Sequence, residues 1–262
     1  MTPTNQELYA RDAHHYFQTD LTPCERVLLE HIGTKWGSTV MLDIGVGAGR
    51  TAFTFGAICS RYIGIDYVPR MIELSRERVG ETDRRRFEVG DARDLSRFRD
   101  GEFDVVLFSF NGIDNISHDD RRRVLAEVRR ALRAGGTFLF STHSLNVFPF
   151  QLQRPDVSWR RPLRALRFHG GAMRRYWKLK MANRAVDVAA VRARGWAELV
   201  SDAHNFEMHI YHVSPAEQQR QLHEAGFAES TTLDSHGQPM TDAEAAVSRD
   251  DWLHFLCRVP AA

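Results

Sequence analysis

Between residues 38 and 142, short apolar runs alternate with amphipathic stretches, and this alternation leaves few folds open. The runs are "TVMLDIG", "RYIGID", "RRFEVGDA", "FDVVLFSF" and "TFLFSTH". Between them "GRTAFTFGAIC", "PRMIELSRERVG" and "SHDDRRRVLAEVRRALRAGG" have helical spacing, with Pro69 and Ser117 as starts and Gly80 and Gly135 as stops. "FDVVLFSF" is apolar enough to be buried on both faces. Strands in turn with helices predict βαβ units and a parallel sheet. A helix over 22–33 precedes them, with Thr22 as N-cap, Pro23 in the first turn and Gly33 as stop. After Ser144 the alternation breaks, and residues 145–200 read as two short helices around Gly170-Gly171. It resumes with a strand over 206–213, the helix "SPAEQQRQLHEAGF" and the strands "ESTTLDS" and "DWLHFLCRV". The expected organisation is therefore 1–144, N-terminal helices and core; 145–205, an inserted cap; and 206–262, completion of the core.

The first run leads into "VMLDIGVGAG", with Gly45, Gly47 and Gly49 at alternate positions. Glycine loses more backbone freedom on folding than any other residue, so three together indicate a close approach to the backbone. A glycine turn between strand and helix admits a ligand to the unpaired N–H groups of a helix N-terminus. Ligands of open parallel sheets sit beyond the carboxyl ends of the strands. Asp66 ends the second strand, where an acid accepts hydrogen bonds from ribose hydroxyls, and Asp91 ends the third. These features describe a nucleoside pocket without choosing the nucleoside.

Composition narrows the setting. The 262 residues are 43% hydrophobic and 26% charged, ordinary for a globular chain, and the net charge of +1 gives no global pull toward nucleic acid. The three cysteines, Cys24, Cys59 and Cys257, are far apart, which disfavours a disulfide framework and suits a reducing cytoplasm. No apolar run approaches a membrane span. No histidine–carboxylate spacing makes a convincing metal site, so no metal is expected.

The glycine spacing, together with "LDIGVGAG", "GIDYVPRMI", "GDARDL", "FDVVLFSFNGID" and "VRRALRAGGTFLFS", resembles the class I S-adenosylmethionine-dependent methyltransferases over roughly residues 38–142. The resemblance implies a Rossmann-like α/β fold of seven strands in the order 3-2-1-4-5-7-6. The seventh strand would be antiparallel, helices would cover both faces, and the cap would follow strand five. It implies S-adenosylmethionine as cofactor and S-adenosylhomocysteine as product. By the same resemblance Gly45, Gly47 and Gly49 border the methionine portion, and Asp43 supports that turn and the cofactor's ammonium group. Asp66 holds the ribose beside Tyr67 and Met71, Asp91 and Ala92 meet the adenine, and Phe110 and Asn111 border the sulfonium.

A sulfonium is an activated methyl donor, so the protein has mainly to align a nucleophile and exclude water. A hydroxyl acceptor also needs a base. His143, Asp114 and His209 are the candidates, His143 and Asp114 because they follow strands at the cofactor's edge of the sheet. From Arg154 to Arg184 the insertion carries ten Lys/Arg and one acid, Asp156, with Trp159, Phe168, Tyr176 and Trp177 interleaved. Trp159, Leu163 and Leu166 share a helical face. The expectation is methyl transfer to an O or N atom of a small metabolite, anionic or carrier-linked. Two alternatives stand beside it: an RNA or protein methyltransferase docking through the basic insertion, and a non-catalytic cofactor-binding module. The "FNGI" after strand four lacks the "NPPY"-type run of many base N-methylating enzymes, which disfavours nucleic acid. The oligomeric state is not legible.

Overall fold

A computed structural model describes residues 7, 19–147, 162–201, 206 and 208–261. Helix α1 (Pro23–Ile32) opens with a capping box between Thr22 and Glu25. The core then follows the expected rhythm: β1 (Val40–Ile44), a one-turn α2 (Phe55–Ile58), β2 (Arg61–Asp66), α3 (Pro69–Val79) and β3 (Arg85–Val89). After them come β4 (Phe103–Phe108), α4 (His118–Ala131) and β5 (Leu132–Ser144). A 3₁₀ turn over Thr51–Phe53 precedes α2, and another over Gly112–Asn115 joins β4 to α4. The rest comprises α5 (Pro162–Ala182), α6 (Val188–Arg194), β6 (Trp196–Val200), β7 (His209–Val213) and α7 (Pro215–Glu224). The last elements are β8 (Glu229–Leu233), β9 (Pro239–Met240), α8 (Asp242–Val247) and β10 (Trp252–Arg258).

The mostly parallel sheet runs β3-β2-β1-β4-β5-β10-β8-β9, with β7 paired to β5 and β6 to β7. β10 is antiparallel to both its neighbours. The expected seven strands are corrected to ten, and the expected order is extended: β9 adds an edge, and β6–β7 branch off β5. The branch has a simple cause. β4 stops pairing with β5 at Phe108↔Phe140, while β5 runs on to Ser144. β10 covers one edge of β5 as far as His143, so the free length of the other edge is taken by β7 at His143↔His212 and Ser144↔Val213. The β6–β7 ribbon thereby stands over the carboxyl end of β4. Apolar side chains fill both faces of the sheet: Val124, Leu125, Val128 and Leu222 on one, and Leu28, Trp36, Phe55 and Ile72 on the other.

Three boundaries differ from expectation, the strand expected over 206–213 beginning at His209. α4 ends at Ala131, and β5 begins at once, so Gly135 sits inside a strand with φ 71°. The two short helices expected around Gly170-Gly171 are one 21-residue helix, α5. Glycine costs about 1 kcal/mol in a helix, which flanking Leu, Ala, Lys and Arg can offset. Trp159, His204 and the first cations of the basic run, Arg154, Arg160 and Arg161, lie outside the described residues.

The three turn glycines divide by surroundings. A Cβ on Gly49 (φ +85°) would lie 2.6 Å from Val79 Cγ2 and 3.4 Å from Ser75 Oγ, whereas one on Gly47 (φ +56°) would meet only Gly45 O at 4.0 Å. Gly49 lets α3 close on the turn, and Gly47 leaves space. Gly49→Ala should therefore lower stability by roughly 1–3 kcal/mol, the usual cost of overpacking. Gly47→Ala should cost about 1 kcal/mol, for its left-handed backbone alone. Equal urea midpoints for the two variants would contradict this division.

Candidate active site

A cavity of about 500 Å³ opens at the carboxyl ends of β1, β2, β4 and β5. Asp43, Gly45, Gly47, Asp66, Tyr67, Met71, Asp91, Ala92, Phe110, Asn111 and His143 all line it. Gly49, Asp114 and His209 are not among the described lining residues.

On one side the glycine turn and the strand-end acids are bonded into a single unit. Asp66 Oδ2 accepts from Gly47 N at 3.0 Å and Oδ1 from Val68 N at 2.9 Å, so the acid at the end of β2 fixes the turn after β1. Burial pushes the Asp66 carboxyl up to about 6 against those two bonds. Asp43 is fully enclosed and accepts from Thr51 Oγ1 and, at 2.5 Å, from Tyr62 Oη. Its direct partners thus lie under the turn. Burial raises it to about 7. Asp91 accepts from Arg93 Nη2 at 2.6 Å and Nε at 3.0 Å; burial opposes its ionisation, but Arg93 outweighs this and holds the carboxyl below its ordinary range. Arg50, which sequence reading missed, also lines the cavity; it pairs with buried Glu25 at 2.5 Å and lies 4.6 Å over the Phe110 ring.

The opposite side is built around one histidine. Asp114 Oδ2 accepts from His143 N at 2.6 Å and lies 2.8 Å from His143 Nδ1. Asp114 Oδ1 accepts from Arg121 Nη1 at 2.5 Å and from Thr142 Oγ1 at 2.7 Å. Asp114 and Arg121 are both fully buried. Burial disfavours the Asp114 carboxylate, but Arg121, with His143 and Thr142, overcomes that and keeps it below the ordinary range. An ionised Asp114 makes Nδ1 the protonated nitrogen, so Nε2, at the cavity, accepts from Asn111 Nδ2 at 3.3 Å, a bond that an acceptor hydroxyl would replace. His143 and Asp114, two candidates of the sequence, are thus one dyad with unlike roles. His209 is exposed, while its strand neighbour Ile210 faces the cavity, as period-2 alternation requires.

The residues fit a nucleoside cofactor on three observations. The position of the absent Gly47 Cβ is open space, Asp66 retains lone pairs at the cavity wall, and buried Asn111 Oδ1 accepts no hydrogen bond. Phe110 and Asn111 also hold left-handed backbone, at φ 54° and 56°. Such conformations cost of order 1–3 kcal/mol each and cluster at functional sites. Here Asn111 N donates to Ser141 Oγ at 2.8 Å, which anchors the strained pair to β5.

Residues 41–136 match the methyltransferase domain family. The ubiquinone/menaquinone biosynthesis C-methyltransferase of Geobacter sp. (strain M21) is 35% identical over 132 residues, covering 47% of this chain and 54% of that one. The chain spans about half the length of the curated relatives it matches. Among solved structures, one from the complex of the Haloferax volcanii Trm112 methyltransferase activator with a methyltransferase superposes with a TM-score of 0.61. It is 19% identical over 99% of this chain and 100% of that one. The Burkholderia thailandensis 1,6-didemethyltoxoflavin-N1-methyltransferase, solved with bound S-adenosylhomocysteine, superposes at 0.58, with 17% identity over 97% of this chain and 87% of that one. Residues 41–136 are therefore similar to a methyltransferase domain, and the chain has the Rossmann-like fold of these solved methyltransferases.

His212, beside His143 at 5.2 Å between ring centroids, is buried, and burial lowers it from 6.5 to about 4. The folded chain keeps it neutral, while the unfolded chain protonates it below about 6.5. Between about pH 6.5 and 4 the unfolded state binds the extra proton, so stability falls as pH falls. His212→Phe should remove this loss, at most about 1.4 kcal/mol per pH unit. Urea unfolding of both proteins at pH 7 and pH 4.5 measures it; parallel pH profiles would contradict it.

Proposed function

We propose that this methyltransferase domain uses S-adenosylmethionine to methylate an O or N atom of a small acceptor, with His143 as general base. The observation that carries the reading is a single cavity joining the Gly47–Asp66 turn to the Nε2 of an Asp114-held His143. When bound, S-adenosylmethionine supplies a methyl group already activated on sulfonium sulfur. The residues of the chain supply the remainder. Asp66 would accept the ribose hydroxyls, and Gly47 would leave room for the methionine portion. Asp91 and Ala92 would border the adenine, beside Tyr67 and Met71. The turn over Phe110 and Asn111 would border the reacting centre, with Asn111 Oδ1 available as an acceptor there. His143 Nε2 would take the proton of the acceptor, and Asp114 would stabilise the resulting imidazolium at Nδ1. Positioning supplies most of the acceleration, and the base adds about 10²–10⁴-fold.

In this reading the described part of segment 145–205, whose β6 pairs with β7, belongs to a cap on the acceptor side. Ile210 on β7 and Met208 just before that strand line the cavity, which favours a small acceptor over a residue of RNA or protein. The cations Arg174, Arg175, Lys178 and Lys180 of α5 are exposed and outside the described cavity lining, so an anionic acceptor has no support from them inside the site. A second reading, methyl transfer to carbon, is favoured by the likeness to the Geobacter C-methyltransferase. A base at His143 would serve a carbon acid as well.

The cofactor half is tested by calorimetry with S-adenosylhomocysteine. Asp66→Ala should weaken binding by roughly 1.5–3 kcal/mol, the value of hydrogen bonds to a charged group, with the circular-dichroism spectrum retained. Parental affinity in that variant would refute the ribose placement. The transfer half is tested with methyl-labelled S-adenosylmethionine and fractionated small metabolites against bulk RNA, the product atom being read by NMR. His143→Gln should lower kcat by about 10²-fold or more at nearly unchanged S-adenosylhomocysteine affinity. Unchanged turnover would leave positioning as the sole device.

A further inference from the structure

The wall of the cavity beside His143 has its own chemistry. Trp252 is the cross-strand partner of His143 on β10, and its ring lies 6.0 Å from the His143 ring and 5.2 Å from the Phe110 ring, edge-on to both. Phe110 is 41% exposed, an unusual place for a phenylalanine, and holds a left-handed backbone there. Met208 and Ile210 complete this end of the cavity. The charge inventory points the same way. Among the described lining residues the arginines are Arg50 and Arg93; Arg50 is paired with Glu25, and Arg93 with Asp91 and Asp120. None is left over to neutralise a phosphate or carboxylate.

We propose that the acceptor is an uncharged planar aromatic compound bearing a hydroxyl, seated against Phe110 and Trp252 with that hydroxyl facing His143 Nε2. The proposal rests on the methyl-transfer reading above and narrows it to a substrate class. An uncharged aromatic hydroxyl must lose its proton as it reacts, which gives the Asp114-held lone pair its use; an already neutral amine needs no base. The step balances. An oxygen lone pair forms the new O–C bond while the S–C pair returns to sulfur, leaving a thioether, and the hydroxyl proton passes to His143. The products are the aryl methyl ether, the demethylated cofactor and the His143 imidazolium, which then releases its proton to solvent. Flat rings that meet edge-on or offset gain affinity beyond their buried area, so a planar acceptor gains from this wall what an aliphatic one does not.

The test uses the full chain saturated with S-adenosylhomocysteine, with 2-naphthol as aromatic probe and glycerol 3-phosphate as anionic aliphatic probe, both titrated calorimetrically. 2-Naphthol should bind at least about tenfold more tightly than glycerol 3-phosphate, and Phe110→Gly and Trp252→Leu should each weaken it about tenfold or more. Phe110→Gly separates recognition from folding. Glycine adopts φ 54° without strain, so the variant should keep the parent's circular-dichroism spectrum, cooperative melting and S-adenosylhomocysteine binding while the probe is lost. Preference for glycerol 3-phosphate, absence of 2-naphthol binding, or parental 2-naphthol affinity in both variants overturns the proposal while leaving methyl transfer intact. Failure of the parent to bind S-adenosylhomocysteine overturns the methyl-transfer reading and this one with it.

Discussion

The ion pair between Arg121 and Asp114 is the interaction on which the acceptor half of the molecule depends. Removing two charges from water costs several kcal/mol per ion, and the cost is met only when every remaining lone pair and proton is well placed. Here it largely is. Arg121 donates to Asp114, to Thr142 Oγ1 at 3.1 Å and to Gln218 Oε1 at 2.5 Å, and its guanidinium lies 4.7 Å from the Tyr211 ring centroid. One side chain on α4 therefore ties together the turn after β4, the end of β5, β7 and α7. The arrangement has little tolerance, since removing either partner leaves an uncompensated buried charge. Its functional product is indirect: a carboxylate locked in place and ionised determines which nitrogen of His143 carries the proton.

The two halves of the cavity come from different solutions to the same problem of holding polar groups where water is scarce. On the nucleoside side, backbone donors of a glycine turn meet the acid of the neighbouring strand, and the geometry follows from parallel pairing of β1 with β2, Ile44 lying beside Ile65. On the acceptor side the backbone is strained and side chains restrain it. Phe110 and Asn111 turn left-handed where β4 ends, and the result is a phenylalanine turned outward and an asparagine buried beside His143. The first half would suit any nucleoside ligand of such a fold. The second rests on side chains brought together by tertiary contacts.

The sequence carried the first half well and the second poorly, for physical reasons. Strand runs and glycine spacing are local, so β1 to β5, the turn and the acids at 43, 66 and 91 were readable. The ribbon strand β6 was hidden although "WAELV" alternates in period two after the helix-stopping Gly195, because five residues beside a long basic helix give a weak signal. Arg121 was not singled out from the sequence. Its place three and four residues before Val124 and Leu125, on the apolar stripe of α4, was the available clue that it is buried. Asp114 read as a base because it follows a strand at the right edge, but the tertiary pairing with Arg121 makes it a buried carboxylate bonded to His143. Trp252 has no local mark: antiparallel register alone brings it beside His143 from more than a hundred residues away.

That register also explains why a second histidine belongs beside the first. The β5–β7 pairing sets His212 against His143, and two imidazoles at 5.2 Å would repel one another if both were charged. Burial keeps His212 neutral, with its Nδ1 3.0 Å from the Ile210 carbonyl oxygen, where a ring N–H donates. A proton arriving at His143 Nε2 therefore meets a carboxylate at Nδ1 and an uncharged neighbour at the side. Asp114 lowers the energy of the imidazolium, and the depressed basicity of His212 prevents that charge from being shared or opposed. The same ribbon thus sets a neutral His212 beside His143.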